Sequence, residues 1–162
     1  MYAKKLGMKE VNSNNKALID DLLILMHSQG LDYTQTFNQL TNLMTDNVKK
    51  RVNSQLNDWY TRWIEILEKS KVTMEEAEEI MKTNNPVVIP RNHHVEALLA
   101  SCEHAVMGNS NSITSDSQLE VSEIVNEFLK VIRSPYQEIE ATKNYQDMPE
   151  DNDQYYQTFC GT

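Results

Sequence analysis

The chain has 162 residues, a formal net charge of −9, four glycines and four prolines. This length predicts a single domain with its own core, and the scarcity of glycine and proline argues against a loop-rich β architecture. The negative charge would repel a nucleic-acid backbone, and the one basic cluster, Lys49-Lys50-Arg51, is typical of a solvated helix face. No apolar run approaches the roughly 20 residues of a membrane span, so we expect neither nucleic acid nor membrane as a partner.

Two cysteines, Cys102 and Cys160, do not make a disulfide framework. The beginning of the chain has no apolar stretch of the kind found in signal peptides. A reducing, cytoplasmic setting is therefore expected. Residues 1–7 read like the end of a helix that has been cut open, and we expect the chain to be a fragment of a longer protein.

The first half of the chain has the periodicity of amphipathic helices. Apolar side chains recur every three or four residues over 16–28, and Gly30 then predicts a left-handed helix end. Asp32 and Gln35 have the spacing of a capping box that opens a second helix. The clearest apolar stripe runs through residues 46–69 and comprises Val48, Val52, Leu56, Trp59, Trp63 and Ile66. A tryptophan pair on such a stripe indicates a core position.

Two prolines, Pro86 and Pro90, frame a short β-branched run in the middle of the chain. Proline has no N–H group and restricts the residue before it, so the segment Asn85–Glu96 predicts an extended crossing between two helical halves. Asn92 is a candidate N-cap for the helix that follows, because its side chain can accept a hydrogen bond from a free N–H group.

The second half continues in helices. Thr73 and Glu76 form a second capping-box pattern. The helix after the crossing has an apolar side made of Val95, Leu98, Leu99, Cys102 and Val106, which predicts that the Cys102 thiol is buried and inert. A last long helix spans residues 117–132. The fold prediction is all-α: an irregular bundle of about six helices over residues 1–137, with an irregular acidic and aromatic tail over 138–162.

Candidate chemical groups are few. The four glycines lie far apart, so a glycine-rich phosphate cradle is excluded and no nucleotide-binding or catalytic residue is assigned. His93, His94, Glu96 and His104 could suggest a metal site, but the HExxH order is absent, and the favoured interpretation is polar residues of a first helical turn. Cys160, on an aperiodic tail, is a chemically available thiol with a candidate redox role.

Five blocks of sequence follow one another along the chain: Leu6-Gly7 with Leu18–Leu23, Asp32–Phe37, Asn85–Glu96, Pro135-Tyr136 and Phe159–Thr162. Together they resemble the C-terminal third of the selenoprotein O family. Each block alone is weak evidence for the family, but five blocks in the family's order over nearly the whole chain are specific evidence for it.

This resemblance implies a function that the residues alone do not. The family has a protein-kinase-like fold with an altered nucleotide site and is therefore described as a pseudokinase. Its members use Mg²⁺ or Mn²⁺ to transfer AMP from ATP to Ser, Thr or Tyr hydroxyls of proteins. Its nucleotide and metal ligands lie upstream of the matched region, so this chain is expected to be an inactive accessory region without a cofactor of its own. Its expected partners are the missing N-terminal kinase-like domain and, for the whole enzyme, protein substrates.

The resemblance also implies roles for a few residues. Cys160 occupies the place of the family's cysteine or selenocysteine, which is implied to be redox-active and to pair with a cysteine of the kinase-like part. Asn85, Pro86, Pro90, Arg91 and Asn92 match a family signature without known chemistry. We hypothesise that Arg91 and Asn92 hold the crossing to a backbone group or to the missing domain.

Two alternatives remain open. The chain could be a stand-alone helical interaction or regulatory module that binds a partner in a groove between helices. It could also carry a metal at His93, His94 and His104. In addition, an apolar face left uncovered by the missing domain could make the fragment a homodimer.

Overall fold

The computed structural model of the chain describes residues 1–10, 12–45, 56–107 and 115–149. All regular secondary structure within these residues is helical. The helices in chain order are α1 (Tyr2–Lys5), α2 (Ser13–Ser28), α3 (Tyr33–Thr45), α4 (Asn57–Lys69), α5 (Met74–Lys82), α6 (Asn92–Met107), α7 (Ser115–Arg133) and α8 (Glu140–Lys143). Six of them have nine residues or more, so the all-α prediction with about six helices is confirmed. Not one of the helices in these ranges combines the length and apolar character that a membrane crossing requires.

The chain divides into two compact units. Unit 1 comprises Met1–Val87 and holds α1 to α5, and unit 2 comprises Val88–Thr162 and holds α6 to α8. The domain boundary that the sequence suggested, between residues 137 and 138, stays a prediction.

The tryptophans of α4 lie at the centre of unit 1. Trp59 and Trp63 are buried and stack with their ring centroids 5.5 Å apart. The Trp59 indole N–H donates to the carbonyl of Leu18 at 2.8 Å, and that of Trp63 donates to the carbonyl of Leu6 at 3.0 Å. Each ring therefore contributes its apolar area to the core without leaving an unpaired donor. The core position predicted for the pair is confirmed.

Other buried apolar side chains of this core come from all five helices and their connections: Ala3, Leu6, Met8, Leu18, Leu22, Phe37, Leu40, Leu67, Ala77 and Met81. The N-terminal part of the predicted stripe, with Val48, Val52 and the basic cluster Lys49-Lys50-Arg51, lies outside the described residues.

Left-handed residues end three helices of unit 1. Gly7, Gly30 and Lys71 have positive φ angles of 72°, 62° and 55°. After α2, the N–H of Leu31 donates to the carbonyl of Met26 and the N–H of Gly30 to that of His27, the double hydrogen bond of a Schellman motif. The predicted helix end at Gly30 is confirmed.

The capping box predicted before α5 is also confirmed. The Thr73 hydroxyl accepts from the backbone N–H of Glu76, and the Glu76 carboxylate accepts from the N–H of Thr73, both at 3.1 Å. This reciprocal pair satisfies donors that the start of a helix leaves without intrahelical partners. Hydrogen bonds to Thr73 and Lys9 lower the pKa of Glu76 below its usual value.

Unit 2 is built on the packing of α6 against α7, and α8 packs on α7. Its buried apolar residues are Val88, Ala105, Phe128 and Val131. Two predictions for α6 were wrong: Leu99 is 57% exposed, and Cys102 is only partly buried. A helix buries only the positions that its neighbours cover, and within the described residues the buried residue of α6 is Ala105.

The two left-handed glycines provide a test of the packing of α1 on α5. A Cβ atom at Gly7 would lie 2.7 Å from the Cβ of Ala77, whereas one at Gly30 would have no atom within 4 Å. We expect Gly30→Ala to lower the free energy of unfolding by about 1–2 kcal/mol through backbone strain alone. We expect Gly7→Ala to lower it by about 2–4 kcal/mol, because overpacking adds to the same strain. Urea denaturation measures both values, and equal losses would contradict the close approach at Gly7.

Candidate functional site

Asn85, the first residue of the signature, lies at a buried polar junction of unit 1. Its side chain is nearly inaccessible, and its Nδ2 group donates to the carbonyl of Lys5 and to the hydroxyl of Thr41, both at 2.9 Å. Its Oδ1 atom accepts from the Lys5 ammonium at 3.4 Å. A single amide therefore connects α1, α3 and the turn that follows α5. This is a structural role, in which a buried polar group is retained because its hydrogen bonds are made.

Lys5 is the unexpected member of this junction. Its ammonium group also donates to the carbonyl of Asn84 at 2.8 Å and lies 5.5 Å and 5.4 Å from the ring centroids of Tyr33 and Phe37. Carbonyl oxygens and aromatic faces are the groups that stabilise a desolvated ammonium. Burial nevertheless lowers the pKa of Lys5 below its usual value. Sequence reasoning missed this residue, because a lysine beside another lysine reads as a solvated position.

The segment between the prolines contains no helix, as predicted. The carbonyl of Pro86 accepts from the side-chain amide of Asn38 at 3.0 Å, which holds the start of the segment to α3. After Pro90, the N–H of Val95 donates to the carbonyl of Arg91 at 3.1 Å, and α6 begins at Asn92. The carbonyl of an N-cap residue accepts the first hydrogen bond of the helix. The cap therefore lies at Arg91, one residue before the prediction.

Two histidines of the first turn of α6 meet a carboxylate from the segment that follows α8. The Nε2 atom of His94 lies 3.0 Å from one carboxylate oxygen of Asp147, and the Nε2 atom of His93 lies 3.6 Å from the other. The two imidazole centroids are 4.0 Å apart. The Tyr145 ring stands edge-on to His94 at 5.1 Å and to Phe128 at 5.3 Å, so aromatic packing holds the segment of Asp147 beside α6 and α7.

The environment of the cluster favours the neutral form of the His94 imidazole. Burial lowers the pKa of His94 below its usual value, and His93 and Arg91 lower it further, while Asp147 acts in the opposite direction. Both Nε2 atoms are inaccessible to solvent, and neither makes a hydrogen bond of acceptable geometry within the described part of the chain. The 3.0 Å contact to Asp147 is therefore short but misdirected for an N–H donor. A neutral imidazole with an unshared nitrogen lone pair is also the form that binds metals.

Ligand atoms of His93, His94 and Asp147 all lie within 4.8 Å of one another, and these are the described residues that could hold a metal ion. The alternative raised from the sequence included Glu96 and His104, but both are exposed residues of α6 outside this group. Asp147 was missed because it lies far along the chain in a stretch without periodicity. Cys160 lies outside the described residues, so its role stays a prediction.

Comparison with known proteins identifies the family. The family described as "Protein adenylyltransferase SelO" matches residues 1–148. The chain belongs to this family. Its relatives include the protein nucleotidyltransferase YdiU of Teredinibacter turnerae, which is 41% identical over 100% of this chain and 31% of the relative. The proteins of the same name from Anoxybacillus flavithermus and Geobacillus kaustophilus are 38% and 36% identical, each over 98% of this chain and over 29% and 30% of their own lengths.

The SelO-family chain thus spans less than a third of the length of these curated relatives. No solved structure matches it. The resemblance to the selenoprotein O family that the sequence blocks indicated is confirmed. The arrangement described above therefore belongs to one region of a nucleotidyltransferase family.

The buried junction gives this region of the SelO family a stability test. We expect Asn85→Ala to lower the free energy of unfolding by roughly 2–4 kcal/mol, because it leaves the Lys5 carbonyl and the Thr41 hydroxyl without their buried donor. Asn84→Ala is the matched control, since its side-chain amide donates to the Ile80 carbonyl and the Thr83 hydroxyl, both within four residues of it. We expect that control to lose under about 1 kcal/mol. Urea denaturation of both variants checks this, and similar losses would argue against the junction.

Proposed function

We propose that this chain is the C-terminal helical region of a protein adenylyltransferase and supports a nucleotide-binding domain that lies outside it. The whole enzyme would transfer AMP from ATP to a Ser, Thr or Tyr hydroxyl of a protein, forming a phosphoester and releasing pyrophosphate. The observation that carries the proposal is one of length: the chain is covered almost completely by relatives named nucleotidyltransferases but spans less than a third of each.

The distribution of glycine supports a nucleotide site elsewhere in the protein. Backbone cradles for phosphates need several glycines close together, and the four of this chain are widely separated. The two that the structure describes, Gly7 and Gly30, each end a helix. ATP with Mg²⁺ or Mn²⁺ would thus be held by an N-terminal kinase-like domain with a pseudokinase fold, and this chain alone would be inactive. A cytoplasmic location belongs to the same proposal.

Exposed apolar side chains in unit 2 support contact with further protein. Leu99 is 57% exposed and Leu119 is 61% exposed. Surfaces that pack against a partner expose large apolar side chains when the partner is absent. The kinase-like domain is the partner that we propose, and a homodimer of the isolated chain is the competing occupant. The exposed leucines also support the second candidate function, in which the chain is a stand-alone module that binds another protein.

Cys160 is the proposed regulatory residue. Its place in the block Phe159–Thr162 supports a redox role by resemblance to the selenoprotein O family. The thiol would form a disulfide with a cysteine of the kinase-like part, each sulfur losing one electron and one proton to a cellular oxidant such as a disulfide. Thiol exchange depends on the thiolate fraction, so a cysteine here would react more slowly at neutral pH than a selenol.

A chimera tests the supporting role. In the Teredinibacter turnerae protein, the region matched by this chain would be replaced with residues 1–162. Because a family region should fold against its catalytic neighbour, we expect the chimera to incorporate labelled AMP into protein at a rate within about tenfold of the parent. The same relative with the region deleted is expected to lose activity. A deletion variant as active as the parent would contradict the proposal.

A matched control tests whether the activity requires this family's region or merely any folded segment of similar length. The corresponding region of the Geobacillus kaustophilus protein, grafted into the same parent, should also retain activity because it belongs to the same family. A helical bundle unrelated to the family should not. Activity restored by the unrelated bundle would favour the alternative in which this region is an independent module.

The redox role of Cys160 is tested in the active chimera by mild oxidation. Mass spectrometry of unreduced peptides should find Cys160 linked to a cysteine of the catalytic part, with a change in AMP transfer that dithiothreitol reverses. Cys160→Ser should abolish both effects, whereas Cys102→Ser should leave them in place. A Cys160 thiol that stays free after oxidation would refute this role.

A further inference from the structure

Three potential metal-binding groups of unit 2 face one another: the imidazoles of His93 and His94, through their Nε2 atoms, and the carboxylate of Asp147. Both imidazole nitrogens are inaccessible to solvent, and apart from their contacts of 3.6 Å and 3.0 Å with Asp147 they make no hydrogen bond of acceptable geometry with a described residue. Buried polar atoms normally have a partner, so two adjacent exceptions call for an explanation. An electropositive species between the nitrogens and the carboxylate would provide one.

The distances fit a metal ion. With metal–ligand bonds of about 2.1 Å in a tetrahedral site, neighbouring ligand atoms lie about 3.4 Å apart. The Nε2 atom of His94 lies 3.0 Å from one Asp147 oxygen and that of His93 lies 3.6 Å from the other, and one ligand atom from each of the three residues lies within 4.8 Å of the other two. Consecutive side chains of a helix normally point about 100° apart around its axis. Here both rings turn toward the same carboxylate, which places their nitrogens for a common ligand.

We propose that His93, His94 and Asp147 bind a divalent transition-metal ion, with Zn²⁺ as the best fit. Two imidazoles and one carboxylate form a ligand set used by zinc sites that keep a fourth position open for water or another ligand. Imidazole nitrogen suits zinc and its neighbours in the first transition row, whereas Mg²⁺ prefers oxygen ligands and retains water. This site is therefore distinct from any Mg²⁺ that accompanies ATP, and it does not depend on the proposed function.

The surroundings set the character of the site. Neutral imidazoles and one carboxylate leave a bound dication with a net positive charge, and the positive end of the α6 dipole and Arg91 oppose it. The affinity is thus weaker than that of a closed site with four protein ligands. The Asp147 side chain is 63% exposed, so an ion can reach the site from solvent. When bound, it links the first turn of α6 to the segment after α8.

Cobalt binding tests the site directly. The full 162-residue chain without an affinity tag, carrying Cys102→Ser and Cys160→Ser so that thiols cannot contribute, is stripped with a chelator and titrated with Co²⁺. We expect one Co²⁺ per chain, with the visible absorption of a low-symmetry nitrogen and oxygen site, displaced by an equal amount of Zn²⁺. Excess Mg²⁺ should not displace it. The chain with both thiols intact is titrated in parallel, so that the comparison stands if the double variant folds poorly.

Single substitutions identify the ligands. His93→Ala and Asp147→Asn should each weaken Co²⁺ binding at least tenfold. Loss of a group that only orients a metal ligand already lowers metal affinity by about tenfold or more, so loss of a ligand itself should lower it at least as much. His104→Ala is the matched control, an exposed histidine of the same helix, and should bind as the parent does. Circular dichroism confirms that each variant is folded.

A second readout follows the link between α6 and the later segment. Zn²⁺ should slow amide hydrogen exchange in residues 144–149 of the parent and leave it unchanged in Asp147→Asn. The proposal would be overturned if the chain failed to bind one Co²⁺, or if Mg²⁺ displaced the bound Co²⁺. It would also be overturned if His104→Ala weakened Co²⁺ binding as much as His93→Ala does, or if Zn²⁺ left the amide exchange of residues 144–149 unchanged.

Discussion

The hydrogen bonds of one buried amide hold the beginning of unit 1 to its end. Asn85 donates to the Lys5 carbonyl and to Thr41 and accepts from the Lys5 ammonium, so α1, α3 and the turn after α5 meet at one side chain. Truncation here would leave several buried groups without partners at once, and such groups destabilise a fold more than a lost surface contact does. The carbonyl of the next residue, Pro86, is bound by Asn38. The amide thus fixes where the chain leaves unit 1.

This arrangement gives the first signature residues a physical meaning. The Asn85 side chain joins α1 and α3 to the turn after α5, and the Pro86 carbonyl is bound by Asn38 of α3. Their neighbourhood is built from a lysine ammonium, backbone carbonyls and aromatic faces. A rigid junction of this kind is what the proposed supporting role needs. The chain belongs to the SelO family and spans less than a third of the curated relatives it matches.

Local patterns predicted most of the helices. Three correct predictions depend only on residues within a few positions of one another, which local sequence patterns reveal directly. They are the stripe with Trp59 and Trp63, the capping box of Thr73 and Glu76, and the helix end at Gly30. Contacts between distant segments escaped prediction. Lys5 became buried because Asn85 and the aromatic rings of α3 surround it. Asp147 reached His93 and His94 through the packing of Tyr145, which has no periodic signal. Leu99 stayed exposed among the described residues, because an apolar position on a helix does not decide whether another element covers it.

The central claim is that this region supports a catalytic domain and contains no nucleotide site of its own. Equilibrium titration of the folded 162-residue chain with ATP and Mg²⁺ tests it most directly. The account predicts no saturable heat or change in stability at millimolar ATP. Saturable, stoichiometric binding of ATP by this chain alone would contradict it.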